Sequence, residues 1–262
     1  MKRILLVAAT IPLLATAACG TLDQKTDGSV PAQVSATKAA PQQDFIAGNQ
    51  ALAEGEWRRA EKHFDAAIKV APDHVDAWRN RGIAHMQMRR FDLALVDFAE
   101  AIELGANDPE TYYNLGNAYT VMSMWEMAID CYRKVLELAP EHAGALNNLG
   151  NSYASVHRYE DAESTLRDFI AHHPDRPEGH NNLGALYGMQ KQVERATNAY
   201  EKALSIDPDN QESLFNLAQV RVQQRRTPEA IALFQRLLAQ MPSDSMDARK
   251  IRGRMKSLRA IH

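Results

Sequence analysis

Apolar and small residues recur along this chain at spacings of three and four, the period of a helix with one buried face. The stretch from Pro109 to His142 shows this most plainly. Tyr112, Leu115, Gly116 and Tyr119 fall on one face of a first helix. Ala128, Tyr132 and Val135 mark the packed face of a second. The two runs predict helices over about positions 2–14 and 18–30 of the stretch. Asp108 and Pro109 suit an N-cap and first helical residue. Pro140 stops the second helix, because it lacks an N–H and clashes with the preceding turn. Gly116 sits mid-helix, where glycine costs about 1 kcal/mol relative to alanine. That cost makes sense where a neighbouring helix must come close.

The same pattern begins at 41, 75, 109, 143, 177 and 211 and runs to 244 without insertion or deletion. Counted from the start of each unit, position 8 holds Gly48, Gly82, Gly116, Gly150, Gly184 and then Ala218. Position 20 is alanine in all six units, from Ala60 to Ala230. Position 24 is Phe64, Phe98, Tyr132, Leu166, Tyr200 and Phe234. Position 32 is proline except at Ala106. A fixed period of this size marks a stacked-repeat protein, in which each unit packs only on its neighbours.

These residues resemble the tetratricopeptide-repeat family across 41–244, as units 41–74, 75–108, 109–142, 143–176, 177–210 and 211–244. The resemblance implies an all-α, right-handed superhelix of helix-turn-helix repeats, with first helices lining a concave groove. The departures are local. Arg81 stands where the family carries leucine, Asp44 where it prefers a large apolar residue, and Arg221 where it carries tyrosine.

Beyond the last unit, residues 245–262 predict a basic capping helix. Ala248, Ile251, Met255 and Leu258 share one face, and Arg249, Lys250, Arg252, Arg254, Lys256 and Arg259 crowd the rest. The apolar face fits a cap over the sixth unit, and the charged face suits water, anionic lipid or an acidic partner.

The N-terminus reads as an address. Lys2 and Arg3 precede a mostly apolar run from Ile4 to Ala15, and small residues lead to Cys19. This is the layout of a secretory signal peptide, too short for a comfortable bilayer span. Around Cys19 the stretch resembles a bacterial lipobox, with Thr16 where such sequences carry leucine. The resemblance implies cleavage after residue 18 and lipidation of Cys19. Ordinary cleavage with a free Cys19 is the other reading. By the same resemblance to lipoproteins of Gram-negative bacteria, Gly20 after the cysteine, rather than aspartate, implies an outer-membrane lipoprotein facing the periplasm. Residues 19–40 lack a helix or strand period and read as the lipidated end and a flexible tether.

The net charge of -3 gives no reason to expect nucleic acid as a partner. Cys19 and Cys131 are the only cysteines, so no disulfide framework is expected, and Cys131 reads as a small buried apolar residue. No metal-ligand spacing, phosphate loop or nucleophile elbow occurs, and the histidines are scattered. The expectation is therefore a non-enzymatic protein without cofactor or metal.

In the resembled family, positions 5 and 9 of each unit commonly face the groove. Here they supply Phe45, Asn49, Arg79, Tyr113, Asn117, Asn147, Asn151, Asn181, Phe215 and Gln219. Amides offer donors and acceptors to a peptide backbone, and aromatic rings offer contact to side chains. The family's paired-basic clamp for terminal carboxylates is incomplete, because Ile83 accompanies Arg79 and the later positions are neutral. The asparagines at position 6, Asn114, Asn148, Asn182 and Asn216, read first as scaffold. The expected role is a protein-interaction scaffold of the cell envelope that aids assembly of a pilus or secretion machine. The alternative is an adaptor that recruits or regulates a periplasmic protease or peptidoglycan hydrolase.

Overall fold

The computed structural model describes residues 34–243 and 245–260. Cys19, the signal segment 1–18 and the first part of the expected tether lie outside the described residues. Thirteen helices and no strand occur among the described residues. In chain order they are α1 (Val34–Ala53), α2 (Trp57–Val70), α3 (Val75–Gln87), α4 (Phe91–Glu103), α5 (Pro109–Val121), α6 (Trp125–Leu138) and α7 (Ala143–Ser155). There follow α8 (Tyr159–His172), α9 (Pro177–Met189), α10 (Val193–Ile206), α11 (Gln211–Gln223), α12 (Thr227–Ala239) and α13 (Met246–Ala260). The odd-numbered helices up to α11 are the first helices of the six units, and the even-numbered ones are the second helices.

One boundary differs from expectation. Helix α1 begins at Val34, so residues 34–40, read from composition as tether, are helical. Once a helix is nucleated, each added residue gains a hydrogen bond for one residue fixed, and no apolar face is needed to signal it.

Each helix packs most closely on its sequence neighbours. Every first helix also touches the next first helix from α1 to α11, whereas successive second helices make no such contact. The first helices therefore form a continuous inner wall, and the second helices splay on the outside.

The pairing within a unit follows from two residues. A Cβ added at Gly116 would lie 2.7 Å from the Tyr132 ring, and one at Gly184 would lie 2.7 Å from the Tyr200 ring. The bare backbone lets position 24 slide under the first helix, and Tyr132, Phe64, Phe98 and Phe234 are fully buried there. Burying each such side chain contributes about 1.5–3 kcal/mol.

The turn inside each unit has a fixed device. Position 15 adopts a left-handed backbone in every unit, at Gly55, Arg89, Ser123, His157, Lys191 and Arg225. The following N–H bonds the carbonyl of position 11, as in Met124 to Tyr119 and Arg158 to Tyr153, both 2.9 Å. This is a Schellman closure of the first helix. Unit 2, which lacks the terminal proline, uses the same closure on α4. Gly105 has φ 104 and the Ala106 N–H bonds the Ala101 carbonyl at 2.8 Å. Asp108 caps α5 as expected, accepting from the Thr111 N–H at 2.9 Å.

Arg81 replaces an apolar core residue, and its neighbours compensate. Its guanidinium bonds Asp97 through Nε and Nη2 and Asp65 through Nη1. Asp97 also accepts from His85 Nδ1 at 2.7 Å, and His85 Nε2 lies 3.2 Å from Glu61. Unit 2 thus carries an ionic cluster around the buried Asp97 and His85 beside its apolar core, with Glu61 and Asp65 contributed by unit 1. Arg221 likewise pairs with Glu201 and Glu229 in unit 6.

The packed end of α13 is also as expected. Ala248, Ile251 and Met255 are buried, and Ile251 and Met255 join Leu214, Ala218, Phe234 and Leu237 in one cluster.

Candidate protein-binding groove

The inner wall places the residues of positions 5 and 9 along one continuous surface, but it does not leave them equally free. Position 6 decides this. Its asparagine reaches back to the preceding unit and donates to an acceptor at position 5 or 9. Asn80 Nδ2 bonds Asn49 Oδ1 at 2.7 Å, and Asn148 Nδ2 bonds Asn117 Oδ1 at 3.0 Å. Asn182 Nδ2 bonds Asn147 Oδ1 at 2.6 Å, and Asn216 Nδ2 bonds Asn181 Oδ1 at 3.1 Å. The rungs form a ladder of amides from unit to unit. It is interrupted at Asn114, which faces Arg79 and Ile83 rather than amides at those positions.

Asn181 is consumed by this ladder. It is 4% exposed, it also accepts from Ser213 Oγ, and its Nδ2 donates to Glu212. Burial of an amide demands such partners, and here they are all intramolecular. Asn181 is therefore a joint between units and not part of the open surface. Asn117 accepts from the Tyr132 hydroxyl at 2.8 Å as well as from Asn148, and keeps its amide N–H groups. Asn147 is bonded on both sides, to Asn182 and Asn148. Asn151 is exposed, and its side chain makes no hydrogen bond among the described residues.

The aromatic residues divide in the same way. Tyr113 lies across the start of α7, where a Cβ at Gly144 would be 2.5 Å from its hydroxyl, and it packs on the His142 ring at 4.9 Å. Phe45 packs on the His74 ring at 4.5 Å. Both are half-buried seals between units. Arg79 is tied to Asp76 at 2.7 Å and lies 3.6 Å from Asp108, so it is no free clamp. Burial pushes the Asp108 carboxyl up, but the Thr111 bonds and the Arg79 charge outweigh it and hold the carboxyl below its usual range.

Phe215 is different. It is 38% exposed and opens onto a cleft of about 790 Å³ between α11 and α13. The floor is Leu237 and Ile251, and Glu212, Lys250 and Arg254 stand around it. The cleft lies where α13 packs on α12 without the close backbone approach to α11 that successive first helices make elsewhere. At the position where the earlier first helices carry the ladder asparagine, α13 carries Lys250, which turns to Asp247 instead. The rung is left open, and Gln219 Oε1 is buried with no partner. Substitution of lysine for asparagine in this register was the sequence signal for the opening.

Elsewhere the chemistry is quiet. Burial, with a contribution from Asp130, pushes the Cys131 thiol up to about 12, so it holds its proton at neutral pH. No group of three or more His, Cys, Asp or Glu is placed to hold a metal among the described residues.

Comparison with known proteins agrees with this architecture. Tetratricopeptide-repeat family models match residues 47–110 and 148–210, 109–142, 131–164 and 189–254. No curated protein sequence matches the chain. Among solved structures, a tetratricopeptide repeat protein from Parabacteroides merdae superposes with a TM-score of 0.74 at 17% identity, covering 85% of this chain and 88% of that one. PilW, described as a widely conserved type IV pilus biogenesis factor, gives 0.69 at 18% identity, covering 80% and 97%. YrrB, described as having an unusual peptide-binding site, gives 0.62 at 20% identity, covering 70% and 96%. At these identities the likeness is one of fold. Taken with six units in one register and the family matches that span 47–254, it means that the chain belongs to the tetratricopeptide-repeat family, whose stacked helix pairs are a protein-interaction scaffold and not a catalytic centre.

Proposed function

We propose that this protein is a lipid-anchored adaptor of the bacterial envelope that seats a segment of a partner protein in its groove and serves the assembly of a pilus or secretion machine. The open α11–α13 end of the groove carries this reading. It presents Phe215 as an apolar anchor and Lys250 and Arg254 as cations. An extended segment with one large apolar side chain and a nearby acid answers both. Asn151 and the spare N–H groups of Asn117 continue the polar surface along the wall. The N-terminal layout around Cys19 supports a lipid anchor in the outer membrane, facing the periplasm. The fold likeness to a pilus biogenesis factor supports that class of partner.

Crosslinking in cells followed by mass spectrometry tests both halves. The lipidated protein is expected in the membrane fraction with components of a pilus or secretion base attached. Cys19→Ala should release it from the membrane. Phe215→Ala should weaken partner capture at least five-fold while leaving the fold intact. Reproducible capture of a protease or cell-wall hydrolase instead would replace the assembly role with the adaptor alternative.

A further inference from the structure

A second cleft lies on the outer side of the stack, away from the groove, between α8 and α10 with α9 as its floor. Its volume is about 430 Å³, within the range of small-ligand sites. Leu183, Ala199 and Ile170 make its apolar base, and Arg167, Arg195 and Lys202 stand around it. His180 lies on the floor.

The cations are not scattered surface charge. The lining positions 25, 19 and 26 recur at every junction between units, so the junctions can be compared. They carry Asp65, Leu93 and Glu100 between units 1 and 2, and Ala99, Met127 and Lys134 between units 2 and 3. Between units 3 and 4 they carry Arg133, Asp161 and Asp168, and between 5 and 6 they carry Glu201, Glu229 and Arg236. Only the junction of units 4 and 5 has three cations. Position 4 differs there too. It holds Trp78, Tyr112, Leu146 and Leu214 in units 2, 3, 4 and 6, and the polar ring of His180 in unit 5.

The charge is also incompletely neutralised. Glu163 alone serves both guanidinium groups, at 2.7 Å from Arg195 and 2.9 Å from Arg167. The Tyr187 hydroxyl donates to the same carboxylate at 3.0 Å, and the Arg195 guanidinium lies 3.9 Å above the Tyr187 ring. These contacts fix Arg195 in place. Lys202 has no carboxylate within ion-pair distance among the described residues. The side chains of His180 and Asn198 make no hydrogen bond there either. Three unspent polar groups therefore face an apolar floor.

We infer that the α8–α10 cleft is a binding site for a small organic anion, with a carboxylate or phosphate group held by Lys202, Arg167 and His180 and a short apolar stem on Leu183 and Ala199. Such a ligand supplies the missing counter-charge and covers the exposed floor. Inorganic ions satisfy only the first need and neutral alcohols only the second.

Binding carries a proton signature. Burial and the Lys202 charge lower the His180 pKa from its ordinary value, so the free ring is neutral at neutral pH. The charged groups around the cleft are Arg167 from α8 and Arg195 and Lys202 from α10, with the Glu163 carboxylate of α8 paired to the two arginines, and Lys202 is the cation that acts on His180. A bound anion offsets that charge and raises the His180 pKa, so affinity increases as pH falls.

The test is an NMR titration of the full chain with hexanoate, hexyl phosphate, hexanol and inorganic phosphate, following His180 and Asn198. Saturable shifts are expected with hexanoate or hexyl phosphate, at least ten-fold tighter than with hexanol or inorganic phosphate. Lys202→Gln, at an exposed position, should weaken binding at least five-fold without changing the melting midpoint. The His180 ring should titrate at higher pH in the bound form. Equal binding of hexanol would reduce the cleft to an apolar patch, and equal binding of inorganic phosphate would reduce it to an adventitious ion site. No saturable binding of any probe, or binding indifferent to both Lys202→Gln and Arg167→Gln, would overturn the inference.

Discussion

His85 shows how one residue changes the basis of a unit's stability. It is 5% exposed and sits between Asp97 and Glu61, with Arg81 on the far side of Asp97. Burial lowers its pKa, but the bonds to the two carboxylates outweigh burial, and the folded value is raised above the ordinary 6.5. The cluster's full contribution is thus present below about pH 6.5 and is lost as pH rises through the raised folded value. Thermal melts of the wild type and His85→Gln should differ most at pH 6 and converge toward pH 9. Asp97→Asn leaves Arg81 and His85 without a buried counter-ion and should cost about 3 kcal/mol in denaturant unfolding. Arg81 was visible in the sequence as a departure from an apolar position. Its partner was not, because position 23 lies on another helix and the apolar pattern carries no record of which charges meet. Asn181 failed for a related reason: its register put it on the inner wall, but the Asn216 amide that covers it comes from the next unit.

At the scale of the element, the turn between paired helices was legible in place but not in conformation. The end of the first apolar run located it within a residue or so. The left-handed residue was hidden, because only unit 1 uses glycine there, at Gly55, and the other five use Arg89, Ser123, His157, Lys191 and Arg225. A non-glycine residue in this region costs about 1 kcal/mol, and the Schellman bonds that follow hold it there. Ser123→Gly should therefore raise stability by about 0.5 kcal/mol, after the extra freedom of glycine in the unfolded chain is subtracted. Ser123→Val should lower it by about 1 kcal/mol, since a branched Cβ suits this backbone least. Denaturant titration of the two variants, with opposite signs expected, checks the claim.

The whole molecule was the most legible level. A constant register, small residues at position 8 and large ones at position 24 were enough to give a stack of paired helices with a cap. The opening between α11 and α13 was marked in the sequence only by Lys250 in the ladder register, and its size was not legible, because it depends on how the cap packs on α12. That cap covers Leu214, Phe234 and Leu237, the last cluster in the stack. Deleting residues 245–262 should expose this cluster, increase binding of an apolar dye and speed hydrogen exchange in α11 and α12. Exchange in α5–α8 should change little, since each unit leans only on its neighbours. Uniform loss of protection along the chain would show instead that the stack melts as one body.

The amide ladder sets a rule for how this protein changes size. Its rungs join residues 31 or 35 places apart, so each depends on the spacing of neighbouring units. Insertion or loss of a complete unit restores every rung one step along. An insertion of any other length within a unit shifts the donors away from their acceptors. The chain can therefore lengthen its inner wall by gene duplication in whole steps, and reach toward a larger partner is gained by counting units, not by stretching them.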